Sequence, residues 1–306
     1  MRVFDARTGY LLRTVRTGGG ALAVDDRTGR VFVASIDGDS VSMLDAHSGA
    51  VLRTIGRIGI RPLAVDARAG HIFVPGVRRL GMLDTRTGRL LRTAALTTTT
   101  GAVVLTMDEA DGRLFVSDDV RFAPFHGVVR VFDTRTGAFV HTVAVGRPSN
   151  PGIVVVDERC GRAFITNGLA GTVSVLDARQ AVVVRTVAIG PHLGALTVDQ
   201  RRGRVVVVGA GTVSGGTATS PGWVSVLNAR SGANLSSAAA GWGPVAVAAD
   251  ERTGHAFVTN AGGVMRVPDF WVRVPSWVRA KLPFLPRPSV QTRPVPASVS
   301  VIDTTR

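Results

Sequence analysis

One five-residue pattern recurs along the whole chain and restricts the folds that this sequence can adopt. It begins with Asp or Asn and ends four positions later with a small residue, as in DARTG at 5–9 and DTRTG at 84–88. Twelve full copies start at residues 5, 25, 45, 66, 84, 108, 133, 157, 177, 199, 228 and 250. A pattern that returns so often indicates construction from repeated small units, because catalysis rarely needs many copies of one constellation.

The residues around these pentads divide them into two alternating kinds. One kind follows runs such as VSMLD and VSVLD, and the other follows AVD and leads into runs such as VFVAS or AFVTN. Copies of the same kind recur every 39 to 51 residues before the last interval. A period of about 40–45 residues with four short strand-like runs is typical of a β-propeller blade. The sequence therefore predicts an all-β fold, a β-propeller of four-stranded antiparallel blades.

The pentads are expected to be hairpin turns between the strands of each blade, which we name A to D from the centre outward. An Asp side chain accepts hydrogen bonds from backbone N–H groups just ahead of it, and a fifth-position Gly suits a positive φ. Ala181 replaces that Gly in one copy, which predicts a looser or shifted hairpin there. Because antiparallel strands reverse, the A–B and C–D pentads should share one end of every blade. The variable D–A and B–C connections should share the other.

The repeat count leaves two closures of the ring open. There are seven C-type signatures but six A–B pairs, so the chain enters at a C strand (Arg2–Asp5) and stops after another (Val299–Asp303). We expect a seven-bladed ring whose first blade is incomplete, with Met1 a misassigned start and a signal peptide upstream. The alternative is a six-bladed ring, in which the N-terminal hairpin completes the last blade and the C-terminal strand is left over.

Runs such as AFITNGLAGTVSVLDAR at 163–179 and AFVTN at 256–260 resemble the YVTN-type repeat of YncE-like β-propellers, which are WD40-like in architecture. The resemblance covers essentially the whole chain except 261–297. It implies an exported protein, periplasmic or extracellular, that acts as a non-catalytic binding or interaction scaffold. A related seven-bladed group includes lactonases, so the alternative function is a lactonase-like hydrolase of a small cyclic ester.

Binding residues favour loops on a rigid scaffold, so we place the candidate site on the variable connections. These connections carry a set of polar and aromatic residues suited to a small polar or anionic ligand: Arg61, His126, Arg147, Asn150, His192 and Trp242, with Asn167 and Asn260 nearby. No spacing of His or Cys suggests zinc, and Cys160 lies within a pentad. The sequence therefore predicts no catalytic residue, no metal site and no cofactor.

Residues 261–297 are the one element without a counterpart in the repeat, although residues 1–306 are otherwise predicted to form a single propeller domain. They replace a short B–C connection of the last blade and interleave aromatic and basic residues, notably Trp271, Arg273, Trp277 and Arg279. Three roles are open: a lid over the ring, a docking segment for a protein partner, or contact with an anionic membrane surface.

The chain is strongly basic, with a formal net charge of +14. Much of the arginine lies in turns and in D strands, where a charge such as Arg53 or Arg92 discourages pairing between exposed sheet edges. The second alternative function is binding of nucleic acid or another polyanion, which requires affinity that falls as salt rises. No run of about 20 apolar residues is present, so no transmembrane segment is predicted.

Overall fold

The structure is a computed structural model. It describes residues 1–5, 7–15, 17, 20–35, 40–56, 62–76, 78–96, 103–118, 128–145, 151–168, 170–214, 217–268 and 290–305. The chain forms two compact units, Met1–Val187 (unit 1) and Ala188–Arg306 (unit 2). Every assigned element in the described residues is a β-strand.

Unit 1 begins with a two-stranded hairpin and continues with four-stranded antiparallel sheets. The hairpin is β1 (Arg2–Phe4) and β2 (Leu11–Thr14). The sheets are β3 (Leu22–Asp25), β4 (Arg30–Ala34), β5 (Ser40–Asp45) and β6 (Val51–Gly56); β7 (Ala64–Asp66), β8 (His71–Gly76), β9 (Arg79–Asp84) and β10 (Leu90–Ala95); β11 (Val103–Asp108), β12 (Arg113–Asp118), β13 (Val128–Asp133) and β14 (Phe139–Ala144); and β15 (Pro151–Asp157), β16 (Arg162–Asn167), β17 (Thr172–Asp177) and β18 (Val182–Ala188).

The described residues of unit 2 form one four-stranded sheet, one three-stranded sheet and two small hairpins. The first sheet is β19 (Leu193–Asp199), β20 (Arg204–Gly209), β23 (Pro221–Asn228) and β24 (Asn234–Trp242), with the hairpin of β21 (Val213–Ser214) and β22 (Thr217–Ala218) between its second and third strands. The second sheet is β25 (Pro244–Asp250), β26 (His255–Asn260) and β29 (Ser298–Asp303), and the hairpin of β27 (Gly263–Pro268) and β28 (Val290–Val295) is inserted before β29.

The sheet topology confirms the predicted strand order. In each four-stranded sheet the A, B, C and D strands are hydrogen-bonded in sequence order. β29 pairs with β26 from His255↔Asp303 to Asn260↔Ser298, so the C-terminal strand takes the C position of the last sheet. The six-bladed alternative predicts instead that the C-terminal strand lies outside the sheet, and the pairing of β29 with β26 contradicts that prediction.

The pentads form the predicted turns. In the turn at Asp84 the carboxylate Oδ1 accepts hydrogen bonds from the N–H and the hydroxyl of Thr87, both at 2.7 Å. Gly88 has a φ of 67° and donates its N–H to the Asp84 carbonyl at 2.8 Å. Ala181 adopts the same conformation, with a φ of 56° and a 2.9 Å bond to the Asp177 carbonyl. The expectation of a looser hairpin at Ala181 is wrong, because the turn's hydrogen bonds hold an alanine in the left-handed region.

Both pentads of a sheet lie side by side at one end, which we call the pentad end. The backbone N–H of Thr85 in the C–D turn donates to the Gly70 carbonyl in the A–B turn at 2.9 Å, and Thr134 does the same to Gly112 at 3.1 Å. Pentads of neighbouring sheets also touch within each unit. The Glu109 N–H donates to Oε1 of Glu158 in unit 1 at 2.9 Å. We call the opposite end, which carries the B–C and D–A connections, the connection end.

The core lies between the faces of successive sheets. A phenylalanine in the middle of the B strand is fully buried in each complete sheet of unit 1: Phe32, Phe73, Phe115 and Phe164. Arginines of the D strands add a second link, since Arg53 donates to the Thr87 carbonyl at 2.9 Å and Arg92 to the Thr136 carbonyl at 3.1 Å. The sequence analysis predicts that these cations protect sheet edges, but Arg53 and Arg92 each join their sheet to the outer pentad of the next sheet.

Candidate functional site

The described residues of the connection end belong mainly to unit 2. Of the predicted ligand-binding residues, His192 and Trp242 are described, whereas Arg61, His126, Arg147 and Asn150 lie outside the described residues. The predicted contact residues of the insertion, Trp271, Arg273, Trp277 and Arg279, also lie outside them. The geometry of the site is therefore built from unit 2.

His192 lies in the D–A connection between β18 and β19, and its side chain is exposed. Its φ is 55°, in the left-handed region that histidine visits more readily than bulkier residues. The backbone carbonyl of His192 accepts a 2.9 Å hydrogen bond from the N–H of Ala210, at the start of the next B–C connection. The backbone is thus fixed at both connections while the imidazole points to solvent, as a recognition residue requires.

Trp242 ends β24 at the following D–A connection and is half-buried. Its carbonyl accepts a 2.9 Å hydrogen bond from Gly262, and the neighbouring Gly243 carbonyl accepts one of 2.8 Å from Ala261. A side chain at Gly263 would come within 2.9 Å of the indole Cε3. Trp242 therefore packs against the base of the β27–β28 hairpin and leaves part of its ring at the surface.

A second tryptophan, Trp223, organises the connection end of the preceding sheet. Its indole lies over Gly209, where a Cβ would overlap ring atom Cζ2, and beside Gly190, where a Cβ would approach to 3.1 Å. Gly209 ends the B strand β20, and Gly190 belongs to the D–A connection before β19. The candidate site predicted from the sequence omitted Trp223. A glycine that ends an otherwise β-branched run, paired with the Gly-Trp step at 222–223, was the available signal.

Asn167 and Asn260 have a structural role that the sequence interpretation did not foresee. Both end a B strand and are buried, with 0% and 3% exposure. The Asn167 amide donates to Ser174 Oγ at 3.0 Å and to Thr172 Oγ1 at 3.1 Å, and Asn260 donates to Ser300 Oγ at 3.0 Å. The prediction that Asn167 and Asn260 belong to the recognition surface is wrong. Each amide is buried and donates hydrogen bonds to hydroxyls at the start of the C strand, so it fixes the B–C connection from the interior side.

The same clamp extends to the preceding sheet. The Ser174 hydroxyl donates to the Val145 carbonyl at 3.3 Å, and the Gly241 N–H donates to Ser300 Oγ at 3.2 Å. In each case an Asn on the B strand, a Ser on the C strand and the backbone at the end of the previous D strand form one chain of hydrogen bonds. This network holds the connection end rigid beneath its exposed residues.

The Asp carboxylates at the pentad end accept hydrogen bonds from residues of their own turns. The hydrogen bonds from Thr8 to Asp5, and those from Ser48 to Asp45, lower the pKa of these carboxyls below 3.8. Burial, with a further contribution from the Asp157 carboxylate, raises the pKa of the Cys160 thiol to about 11. Cys160 is therefore protonated at neutral pH and is a poor nucleophile. Within the described ranges, no group of three or more His, Cys, Asp or Glu residues is arranged to hold a metal ion.

The described part of the chain also contains no helix with the length and apolar character that crossing a bilayer requires. No protein-family model matches the sequence. No curated protein matches it either.

Solved structures do match, at low sequence identity. BamB from Moraxella catarrhalis is 16% identical with a TM-score of 0.58, over 85% of this chain and 75% of that one. The WD40 domain of Neurospora crassa Pan2 is 14% identical with a TM-score of 0.58, over 83% and 76%. A chain of Kuenenia stuttgartiensis hydrazine synthase is 15% identical with a TM-score of 0.61, over 97% and 99%. These similarities and the four-stranded antiparallel sheets show that the chain has a β-propeller fold.

Proposed function

We propose that this protein is an exported, non-catalytic β-propeller of the YncE-like type, which binds a small polar or anionic ligand or a protein partner at its connection end. The observation that carries the proposal is the contrast between the ends of the sheets. At the pentad end the same turn recurs, and its carboxylates are used by backbone N–H groups and by arginines. At the connection end of unit 2 every connection differs, and His192 and Trp242 are held on fixed backbone with accessible side chains.

Several features favour binding over catalysis. The thiol of Cys160 has a raised pKa and lies at the pentad end. The buried asparagines Asn167 and Asn260 have their amide N–H groups engaged with serine hydroxyls. A rigid scaffold that presents variable loops is the arrangement that binding proteins use repeatedly.

A ligand screen with a matched pair of histidine variants tests the proposal. His192 and His255 are both exposed in unit 2, but His192 is in a D–A connection and His255 follows a pentad. Thermal-shift measurements against dicarboxylates, sugar phosphates and nucleotides should reveal a stabilising ligand. We expect the shift to be lost in His192→Ala and retained in His255→Ala.

Three results would contradict this proposal. One is a shift that disappears in His255→Ala and persists in His192→Ala. Another is turnover of a panel of lactones that the double variant His126→Ala/His192→Ala abolishes, since this would make the protein a hydrolase. The third is binding to duplex DNA or heparin whose affinity falls steeply with salt and is independent of His192, which would assign the basic charge to polyanion binding.

A further inference from the structure

A cleft of about 220 Å³ lies in unit 1 between the sheets β3–β6 and β7–β10. One wall consists of residues of β6, and the opposite wall of residues of β9, β10 and the turn between them: Arg53, Ile55 and Gly56 on one side, and Arg79, Gly81, Gly88, Leu90 and Thr93 on the other. The described residues that line the cleft include two arginines and no acidic side chain. An apolar cavity of about 150 Å³ holds benzene, so a ring-sized group fits this cleft.

The two arginines lie toward opposite ends of the cleft. A Cβ placed on Gly88, in the C–D turn, would approach Ile55 Cδ1 to 2.9 Å and Arg53 Cδ to 3.4 Å, so Arg53 belongs to the pentad end. Arg79 begins β9 at the connection end, and Gly81 lies between the two arginines. Residues two apart on a strand share a face, so Arg79 and Gly81 lie on the same face of β9. The cleft therefore has a cation at each end and bare glycine backbone in the middle.

The cleft is open because β9 lacks a serine that other sheets use to bind their neighbour. Ser174 and Ser300 each lie three residues before a C–D pentad. Ser174 donates to the Val145 carbonyl at the end of the preceding D strand, and Ser300 accepts the Gly241 N–H in the same way. The corresponding residue of β9 is Gly81. Without a side chain, Gly81 cannot form this bond to the end of β6.

The amide of the same network is also replaced in this sheet. Asn167 ends the B strand β16 and donates to the serine of its C strand, whereas the B strand β8 ends with Gly76. On the other side of the cleft, β6 ends with Gly56, and nothing lies within 4 Å of a Cβ placed on it. The link of Asn and Ser therefore cannot form between these two sheets, and the space between them stays open.

The sheet β19, β20, β23 and β24 shows what covers such glycines elsewhere in the chain. Its B strand also ends with a glycine, Gly209, and the indole of Trp223 lies over it. Trp223 is the strand partner of Gly209, just as Arg79 is the strand partner of Gly76. At the position where one sheet supplies an aromatic ring, β9 therefore supplies a cation. An aromatic ring is the group that fits over glycine backbone here, and a cation beside it suits a ring that carries a negative charge.

We propose that this cleft binds an aromatic carboxylate. The ring lies over the backbone of Gly81, between the side chains of Ile55 and Leu90. The carboxylate accepts hydrogen bonds from the Arg53 guanidinium at the pentad end of the cleft. This site is in unit 1 and is separate from the site proposed at the connection end of unit 2.

Arg53 is held in place for this contact. The Thr87 carbonyl accepts one of its N–H groups at 2.9 Å, which fixes the guanidinium beside the cleft. A guanidinium has five N–H donors, so others remain for a carboxylate. Arg79 adds a second positive charge to the lining, which favours an anion over a neutral or cationic compound of the same shape.

Ligand-observed NMR titrations of the intact protein with three compounds provide the first test. We expect saturable binding of 3-phenylpropionate. Its amide, 3-phenylpropanamide, has the same ring without the charge and should bind about fivefold more weakly, the effect of an ion pair at an exposed position. Hexanoate has the charge without the ring and should also bind more weakly. Absence of 3-phenylpropionate binding, or an equal affinity for either of the other two compounds, would overturn the proposal.

A matched pair of arginine variants provides the second test. Arg53 and Arg92 both donate to a carbonyl in the C–D turn of the next sheet, at 2.9 Å and 3.1 Å, but only Arg53 lines the cleft. Arg53→Gln and Arg92→Gln should therefore change stability by similar amounts. Binding of 3-phenylpropionate should weaken about fivefold in Arg53→Gln and stay unchanged in Arg92→Gln. Equal binding by the two variants would overturn the assignment of the carboxylate to Arg53.

Closing the cleft provides the third test. Gly81→Ser introduces the residue that has this position in β5, β17, β23 and β29, so the fold accepts it. The new side chain takes the space of the ring and should weaken binding about tenfold, the effect of overpacking a filled site. His192→Ala, at the connection end of unit 2, should leave binding unchanged. Loss of binding in His192→Ala with full binding in Gly81→Ser would place the compound at the connection end and overturn the proposal.

Discussion

The pentad end and the connection end of the sheets use the same kinds of residue for different physical reasons. In unit 2, Gly203 at the pentad end of β20 has a φ of 60°, and nothing lies within 4 Å of a Cβ placed on it. Gly209, at the other end of the same strand, is needed for space, because the indole of Trp223 lies where a side chain would be. Asn228 accepts the N–H groups of its turn, whereas Asn260 is buried and donates to serine hydroxyls.

The difference shows how a repeated sequence acquires a unique surface. The turns of the pentad end are specified locally, within five residues, so the same solution can recur in every sheet. The connection end depends on contacts between segments far apart in the chain, such as Gly241 with Ser300. Each connection there can therefore differ, and recognition residues can be placed on it.

The largest effect that separates the two ends is expected from a pair of glycine substitutions on β20. Gly209→Ala should lower the free energy of unfolding by about 3 kcal/mol, since the new methyl group displaces the Trp223 indole from a packed position. Gly203→Ala should cost about 1 kcal/mol, the penalty for an alanine at positive φ with no steric clash. Urea denaturation followed by tryptophan fluorescence measures both.

Near-ultraviolet circular dichroism serves as the control for this pair, because it reports the tryptophan environment. Gly209→Ala should change the spectrum and Gly203→Ala should leave it as in the wild type. Equal losses of stability with unchanged spectra would mean that the two glycines are selected for the same reason, and the contrast between the ends would fail.

The next largest effect compares two asparagines of unit 2. Asn260→Ala should cost about 2 kcal/mol, because it removes a buried amide that donates to the hydroxyls of Ser298 and Ser300 and leaves Ser300 with only the Gly241 N–H as a donor. Asn228→Ala should cost about 1 kcal/mol, since the N–H groups of Arg230 and Ser231 can turn to water when the side-chain acceptor is lost. Thermal unfolding of the two variants gives the ranking. A greater loss in Asn228→Ala would show that the turns, and not the clamps, limit stability.

The sequence was sufficient for the pentad end and insufficient for the connection end, and the reason is the range of the interactions. Within one turn, Asp84 accepts the hydrogen bonds of both Thr87 and Gly88. The structure of this turn could therefore be predicted from the pentad alone. The burial of Asn167 depends on Ser174 and on the backbone of Val145 in the previous sheet, which no local pattern reveals. The role of Arg53 and Arg92 was missed for the same reason. Their acceptors, the carbonyls of Thr87 and Thr136, are 34 and 44 residues away.

The pentad end itself contains two electrostatic environments, which give the smallest predicted effect. Asp133, in a C–D turn, has its pKa lowered below 3.8, because hydrogen bonds from Thr136 and the charge of Arg113 outweigh the partial burial of the carboxylate. Asp108, in the A–B turn of the same sheet, is fully buried. Burial first, and then the charges of Asp111 and Glu158, raise the pKa of the Asp108 carboxyl above 3.8.

The two shifts predict opposite responses to the same substitution. The lowered pKa of Asp133 contributes stability above pH 3.8 that is lost as the pH falls through the folded-state pKa, so Asp133→Asn should cost up to about 1 kcal/mol at pH 7 and almost nothing at pH 2.

The raised pKa of Asp108 means that the folded state holds its proton more tightly, so the ionised carboxylate opposes folding at neutral pH. Asp108→Asn should therefore stabilise the protein at pH 7 and lose that advantage on acidification through the folded-state pKa. Asn228, in a C–D turn, shows that an amide can accept the N–H groups of a pentad. Chemical denaturation of both variants at pH 7 and at low pH measures the two differences, and a loss of stability in Asp108→Asn at pH 7 would mean that its carboxylate is a structural partner after all.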